Sequence, residues 1–141
     1  MNQFYQTLQE HEMEKASNGY LMSLMVVLVG LPLPIINLLA TFFFYVANRK
    51  STYFVRWHCT QALLSQFTLF CMNSVGFWWT ISLLLLRGEG ISNYYIGYMV
   101  LVVLINLMEF IITIFAAIGT RKGHHVRWWF YGALTDIICK P

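Results

Sequence analysis

Charge is scarce in this chain of 141 residues. Asp, Glu, Lys and Arg supply 11% of it, against about 25% in an ordinary soluble domain. With so few charges, the formal +3 reflects how loops are charged rather than a nucleic-acid surface. Proline is nearly missing, and two of the three prolines, Pro32 and Pro34, share one turn. Cysteine is confined to Cys59, Cys71 and Cys139. The first two would sit about 18 Å apart along one helix, beyond disulfide reach. Three free thiols are therefore expected, two of them acting as small apolar residues. The chain also lacks a Gly-x-Ser-x-Gly elbow, a P-loop, a His-Glu-x-x-His pair and a dinucleotide fingerprint. No catalytic residue, cofactor or metal site is expected.

Long apolar runs are what the chain has instead. Residues 20–47, 59–86 and 91–119 carry a single charged residue among them, Glu109. A hydrocarbon core about 30 Å thick needs ~20 apolar residues as a helix, so each run is long enough to cross. The reading is an all-α membrane protein: a polar, acidic tail over 1–19, then one membrane domain over 20–141. Spans are expected over about 20–47, 53–86 and 94–119. Because the tail is polar and no cleavage pattern precedes the first run, no secretory signal is expected.

Pro32 and Pro34 should kink or break the first helix. The alternative is a hairpin that turns back at these prolines. Each arm would then have only ~13 residues, about 20 Å, which is short for a span. That length argument favours one kinked helix. Residues 126–140 form a different segment. Phe130, Ala133, Leu134, Ile137 and Ile138 fall on one helical face, and Gly132, Thr135, Asp136, Cys139 and Lys140 on the other. This predicts a short amphipathic helix lying on the membrane or against the bundle.

Seven of the nine Lys and Arg residues lie in the 48–57 loop or after residue 120. The positive-inside rule then puts those segments and the C-terminus in the cytoplasm, and three spans put the N-terminus outside. Trp57, Trp128 and Trp129 suit the headgroup layer, with Arg121 and Lys122 beside it.

Each run also carries a polar or small-residue stripe. Cys59, Gln66, Asn73 and Thr80 recur at seven, as do Ser23, Gly30 and Asn37, while Asn106, Glu109 and Thr113 recur at three and four. Such stripes are expected to face one another inside a bundle, where polar contacts average ~0.6 kcal/mol. Glu109 stands apart, because an ionisable side chain near mid-membrane is costly and a candidate for function. The candidates for interhelical or partner contact are Arg56, His58, Gln61, Gln66, Asn73, Asn106 and Glu109.

The entry to the second run, Phe54-Val55-Arg56-Trp57-His58-x-x-Gln61-Ala62-Leu63-Leu64, resembles the signature of the Tic-twenty-like family. A second similarity runs from Ala116-Ala117-Ile118 to Gly123 and from Tyr131 to Ile138. The family includes a chloroplast inner-envelope import subunit and small bacterial membrane proteins. The resemblance implies a bacterial cytoplasmic-membrane protein that acts as an accessory subunit of a larger assembly, in protein translocation or insertion. The expected partners are the lipid bilayer and other membrane proteins or further copies of the chain, with no nucleic acid. The alternative is a small oligomeric transporter or channel that uses Glu109 and the Gln66/Asn73 stripe.

Overall fold

A computed structural model describes residues 2–30, 34–87 and 90–140. Every described element is helical: α1 (Asn2–Gly30), α2 (Pro34–Asn48), α3 (Tyr53–Ser82), α4 (Asn93–Arg121) and α5 (Tyr131–Ile138). The end of α3 continues as a π-helical turn over Leu83–Arg87. Two stretches, Tyr53–Leu85 and Asn93–Arg121, are long and apolar enough to cross a membrane. They coincide with the second and third expected spans.

The first run is not one kinked helix. A Cβ placed on Gly19 would lie 3.4 Å from the Phe44 ring and 3.3 Å from Cys59 Sγ. In one continuous helix, residues 19 and 44 would stand about 37 Å apart. The chain therefore turns back between α1 and α2, and the arms pack side by side. The turn itself, with Pro32, lies outside the described residues, while Pro34 opens α2, a position where a missing N–H costs nothing. The 15 residues of α2 make about 22 Å of helix. That is less than the hydrocarbon thickness, so three full spans are not established.

Side-chain pairs fix the register. Tyr20 meets His58, and Ser17 Oγ donates to the Ala117 carbonyl at 2.9 Å. Ser23, Gln66, Glu109 and Thr113 share one cavity. Thus α1 runs parallel to α3 and antiparallel to α4, wedged between them. Gly30 is about 10 Å beyond Ser23, level with roughly the early seventies of α3. There the amides of Asn73 and Asn106 exchange hydrogen bonds of 2.8 and 3.1 Å, and α3 and α4 close directly on each other. Further along, Tyr98 donates to the Met72 carbonyl and Thr80 Oγ1 lies 2.9 Å from the Tyr95 hydroxyl.

Polar side chains share the interior with small and aromatic ones, while large apolar side chains cover the outside. The buried side chains include Ser17, Ser23, His58, Gln61, Ser65, Gln66, Thr113, Thr120 and Thr135. The exposed ones include Phe43, Trp78, Leu84, Val103 and Phe115, each at least 65% accessible. A water-soluble domain shows the opposite preference, whereas lipid accepts such a surface. Helix α5 and the residue before it repeat the inversion: Gly132 and Thr135 pack inward, and Phe130, Ile137 and Ile138 point out.

Candidate functional site

The chemistry of the chain gathers where the start of α3 meets α1 and the segment after α4. That segment is aimed by the end of α4. Gly123 has φ of 80°, and His124 N–H bonds to Gly119 O while Gly123 N–H bonds to Thr120 O, both at 3.0 Å. This paired closure of a helix C-terminus needs a left-handed residue, which glycine supplies. It turns residues 124–128 back across the first two turns of α3.

Gln61 is the centre of the joint. Its amide Nε2 donates to the Tyr20 hydroxyl at 2.8 Å and to the Val126 carbonyl at 3.2 Å. Its Oε1 accepts the Trp128 backbone N–H at 3.1 Å. Because a backbone N–H can only donate, the amide orientation is determined. With its oxygen accepting from Gln61, Tyr20 can donate to His58 Nδ1, 2.9 Å away. His58 Nε2 then carries the proton of a neutral imidazole and faces His125 Nδ1 at 3.2 Å. One directed chain of hydrogen bonds thus runs from Gln61 through Tyr20 and His58 to His125. Phe54 and Trp57 wall it, with the Trp57 and His125 ring centres 4.2 Å apart.

Two neighbouring residues tie down the end of the chain. Trp57 is fully buried, and its indole N–H donates to Asp136 Oδ1 at 2.9 Å. Asp136 also pairs with Arg127. Arg56 donates to the Lys140 carbonyl at 2.7 Å and to Cys139 Sγ at 3.3 Å. Arg56, Trp57, His58 and Gln61, all near the start of α3, thereby grip α1 and the C-terminal segment.

A second polar feature lies deeper. Gln66, Asn106, Glu109 and Thr113 surround a small cavity with Ser23 of α1. Gln66 Oε1 and Glu109 Oε1 are buried there without a hydrogen-bond partner. The cavity has room for about one water molecule, the usual way such oxygens are satisfied.

The candidate residues therefore fall into two groups. Arg56, His58 and Gln61 belong to the joint, and Gln66, Asn73, Asn106 and Glu109 line the α3–α4 seam. Two assignments to the headgroup layer are corrected. Trp57 is inside the protein, as is Trp128, which packs on Tyr20, Ala62, Ala116 and Ala117. The Trp57 indole is held there by its bond to Asp136, and Trp128 by its backbone N–H on Gln61 and by packing, its indole N–H having no partner among the described residues. Trp129 is fully exposed, and Arg121 and Lys122 are exposed at the same end. Sequence reading missed Ser17, Tyr20, Val126 and Asp136 as members of the joint. Tyr20 sits at the border between polar tail and apolar run, the one signal that could have marked it. His125, which carries no distinguishing signal in the sequence, also belongs to the joint through His58. Among the described residues no group of three His, Cys, Asp or Glu side chains could hold a metal ion.

A family model described as the MamF/MmsF magnetosome magnetite crystal formation protein family matches residues 16–135. No curated protein and no solved structure matches the chain. The family match overturns the Tic-twenty-like resemblance, and the translocation role implied by it falls as well. The pattern Arg-Trp-His-x-x-Gln is, in this structure, a packing device that closes a C-terminal segment onto α3. Such a device does not identify one family.

Proposed function

The chain belongs to the magnetosome magnetite crystal formation protein family, and from that premise we propose that it is a non-enzymatic integral protein of the magnetosome membrane that contributes to forming the crystal. The observation that carries this reading is the extent of the match. Residues 16–135 include α2, α3 and α4 and every partner of Gln61. The inside-out polarity of the surface supports residence in lipid.

The distribution of charge suggests how it contributes. By the positive-inside rule the end bearing Arg49, Lys50, Arg121 and Lys122 faces the cytoplasm, so the other end faces the compartment. A surface that templates an iron oxide needs clustered carboxylates, since hard cations take oxygen ligands. Three of the six acidic residues, Glu10, Glu12 and Glu14, belong to α1 before it enters the bundle at the basic end. The reading is therefore a scaffold that shapes or organises the membrane around the crystal, not a mineral-binding face.

The test is deletion in the host cell, complementation with the wild-type chain and with Gln61→Leu, and electron microscopy of the crystals. Altered crystal size or number on deletion, restored only by the wild type, is expected. Unchanged crystals, or absence of the protein from the magnetosome fraction, would end the proposal. A second reading, a small oligomeric transporter, draws on the unpartnered oxygens of Gln66 and Glu109. Ion flux in proteoliposomes that disappears in Glu109→Ala would favour it, and absence of flux would remove it.

A further inference from the structure

A groove of ≈ 460 Å³ opens at the basic end between the end of α2, the start of α3 and the end of α5. Its polar wall carries Arg49, Arg56 and Lys140, and among the described residues no acidic side chain lines it. The only acidic residue of α5, Asp136, is occupied by Arg127 and Trp57. Among the described residues Arg49 and Lys140 form no ion pair. Arg56 is held in place by the Lys140 carbonyl and Cys139 Sγ, through Nη2 and Nε. The guanidinium has five N–H donors, so donors remain for a ligand. The remaining wall includes Tyr45, Ile137 and Ile138, and the two isoleucines are 70% and 57% exposed, continuous with the outward apolar face of α5.

Three cations, from the ends of α2 and α5 and the start of α3, line one groove with no acidic side chain among the described residues to neutralise them, beside an apolar strip that faces out. Phosphate answers the first feature and acyl chains the second. We propose that this groove binds the headgroup of an anionic phospholipid, with the phosphate on Arg49, Arg56 and Lys140 and the chains along Ile137 and Ile138. The inference rests on residence of the chain in a membrane, but not on any role in crystal formation. Arg56 is a structural member of the joint as well, so lipid occupancy would brace the same end of α5 that Arg56 holds.

The experiment is native mass spectrometry of the full chain in detergent, titrated with phosphatidylglycerol, with phosphatidylcholine of the same acyl chains, and with inorganic phosphate. Arg49 and Lys140 are exposed, so Arg49→Gln/Lys140→Gln should leave the fold intact, as circular dichroism and elution volume will report. The expected result is one phosphatidylglycerol retained per chain, with phosphatidylcholine bound far less. The double variant should lose roughly tenfold or more in affinity for phosphatidylglycerol, because each cation near an anionic lipid contributes appreciably. Millimolar inorganic phosphate should not displace the lipid. Equal binding of the two lipids, no loss in the folded double variant, or full displacement by inorganic phosphate would each overturn the proposal, the last by identifying a free-anion site. Detergent-dependent extraction from membranes tests the underlying membrane reading separately.

Discussion

Gln61 and Asn73 are both polar residues on the inner face of α3, yet they should differ in what they support. Asn73 makes one reciprocal amide pair with Asn106. Gln61 serves three groups from two other parts of the chain, and its loss leaves the Val126 carbonyl and the Trp128 N–H without partners. An unpaired buried group costs about 1–3 kcal/mol, while membrane polar contacts average ~0.6 kcal/mol. Gln61→Leu should therefore destabilise the protein by several times as much as Asn73→Leu, read as the midpoint of thermal unfolding in detergent. Equal shifts would mean that the joint is no more than ordinary interhelical contact. The sequence exposed Arg56, Trp57, His58 and Gln61 because four unlike, chemistry-bearing residues crowd one helix entry. Their partners were hidden because Tyr20, Asp136 and Val126 lie 38 to 79 residues away from the side chains they meet. Trp57 shows the ambiguity in its simplest form. An indole with one apolar body and one N–H suits the headgroup layer or a buried acceptor equally well, and only the position of Asp136 decides.

At the scale of elements, apolar length located α3 and α4 closely, because about 20 uninterrupted apolar residues have few other uses. The same rule misjudged the first run. The two arms within 20–47 were discounted as too short to cross, but α1 extends back to Asn2, and the short α2 packed along it need not cross. A distance measurement separates the two arrangements. Leu21 and Phe43 are both exposed. With Leu21→Cys and Phe43→Cys spin-labelled in a background without the native thiols, the hairpin predicts a label separation well under the ~33 Å of one continuous helix. A distance of 33 Å or more would restore the single helix. Helix α5 was legible as amphipathic, but the periodicity could not say which face is inside. In water the apolar face would be; here Gly132 and Thr135 pack against the protein instead.

For the whole molecule, the hairpin changes the topology. With α1 and α2 returning to one end and α3 and α4 doing the same, the N-terminal and C-terminal segments share the basic end. Their proximity is visible where a Cβ on Gly123 would lie 2.6 Å from Met13 Sδ. The sequence expectation of an outside N-terminus followed from counting three spans. The structure predicts that tags at the two termini are protected or cleaved together when sealed vesicles are treated with protease. Opposite accessibility would contradict the hairpin. The clustering of basic residues was readable, but the number of crossings was not, since it depends on a turn whose neighbours are settled only by packing.

The early end of α1 leaves the molecule tapered. From Asn73 to Leu85, about 18 Å along α3 and its π-helical turn, the described bundle consists of α3, that turn and α4, whereas the basic end also contains α1, α2 and α5. Such a body displaces more area in one leaflet than in the other. In the orientation proposed above, basic end toward the cytoplasm, the broader part would lie in the outer leaflet of an enclosed vesicle, the leaflet that high curvature stretches. The expected outcome is sorting by diameter: reconstituted protein should be denser per unit area in small vesicles than in large ones, measured by single-vesicle fluorescence. Equal density at all diameters would show that the taper is absorbed by lipid. If the sorting holds, the shape of the protein matches it to the size of the compartment in which a crystal grows.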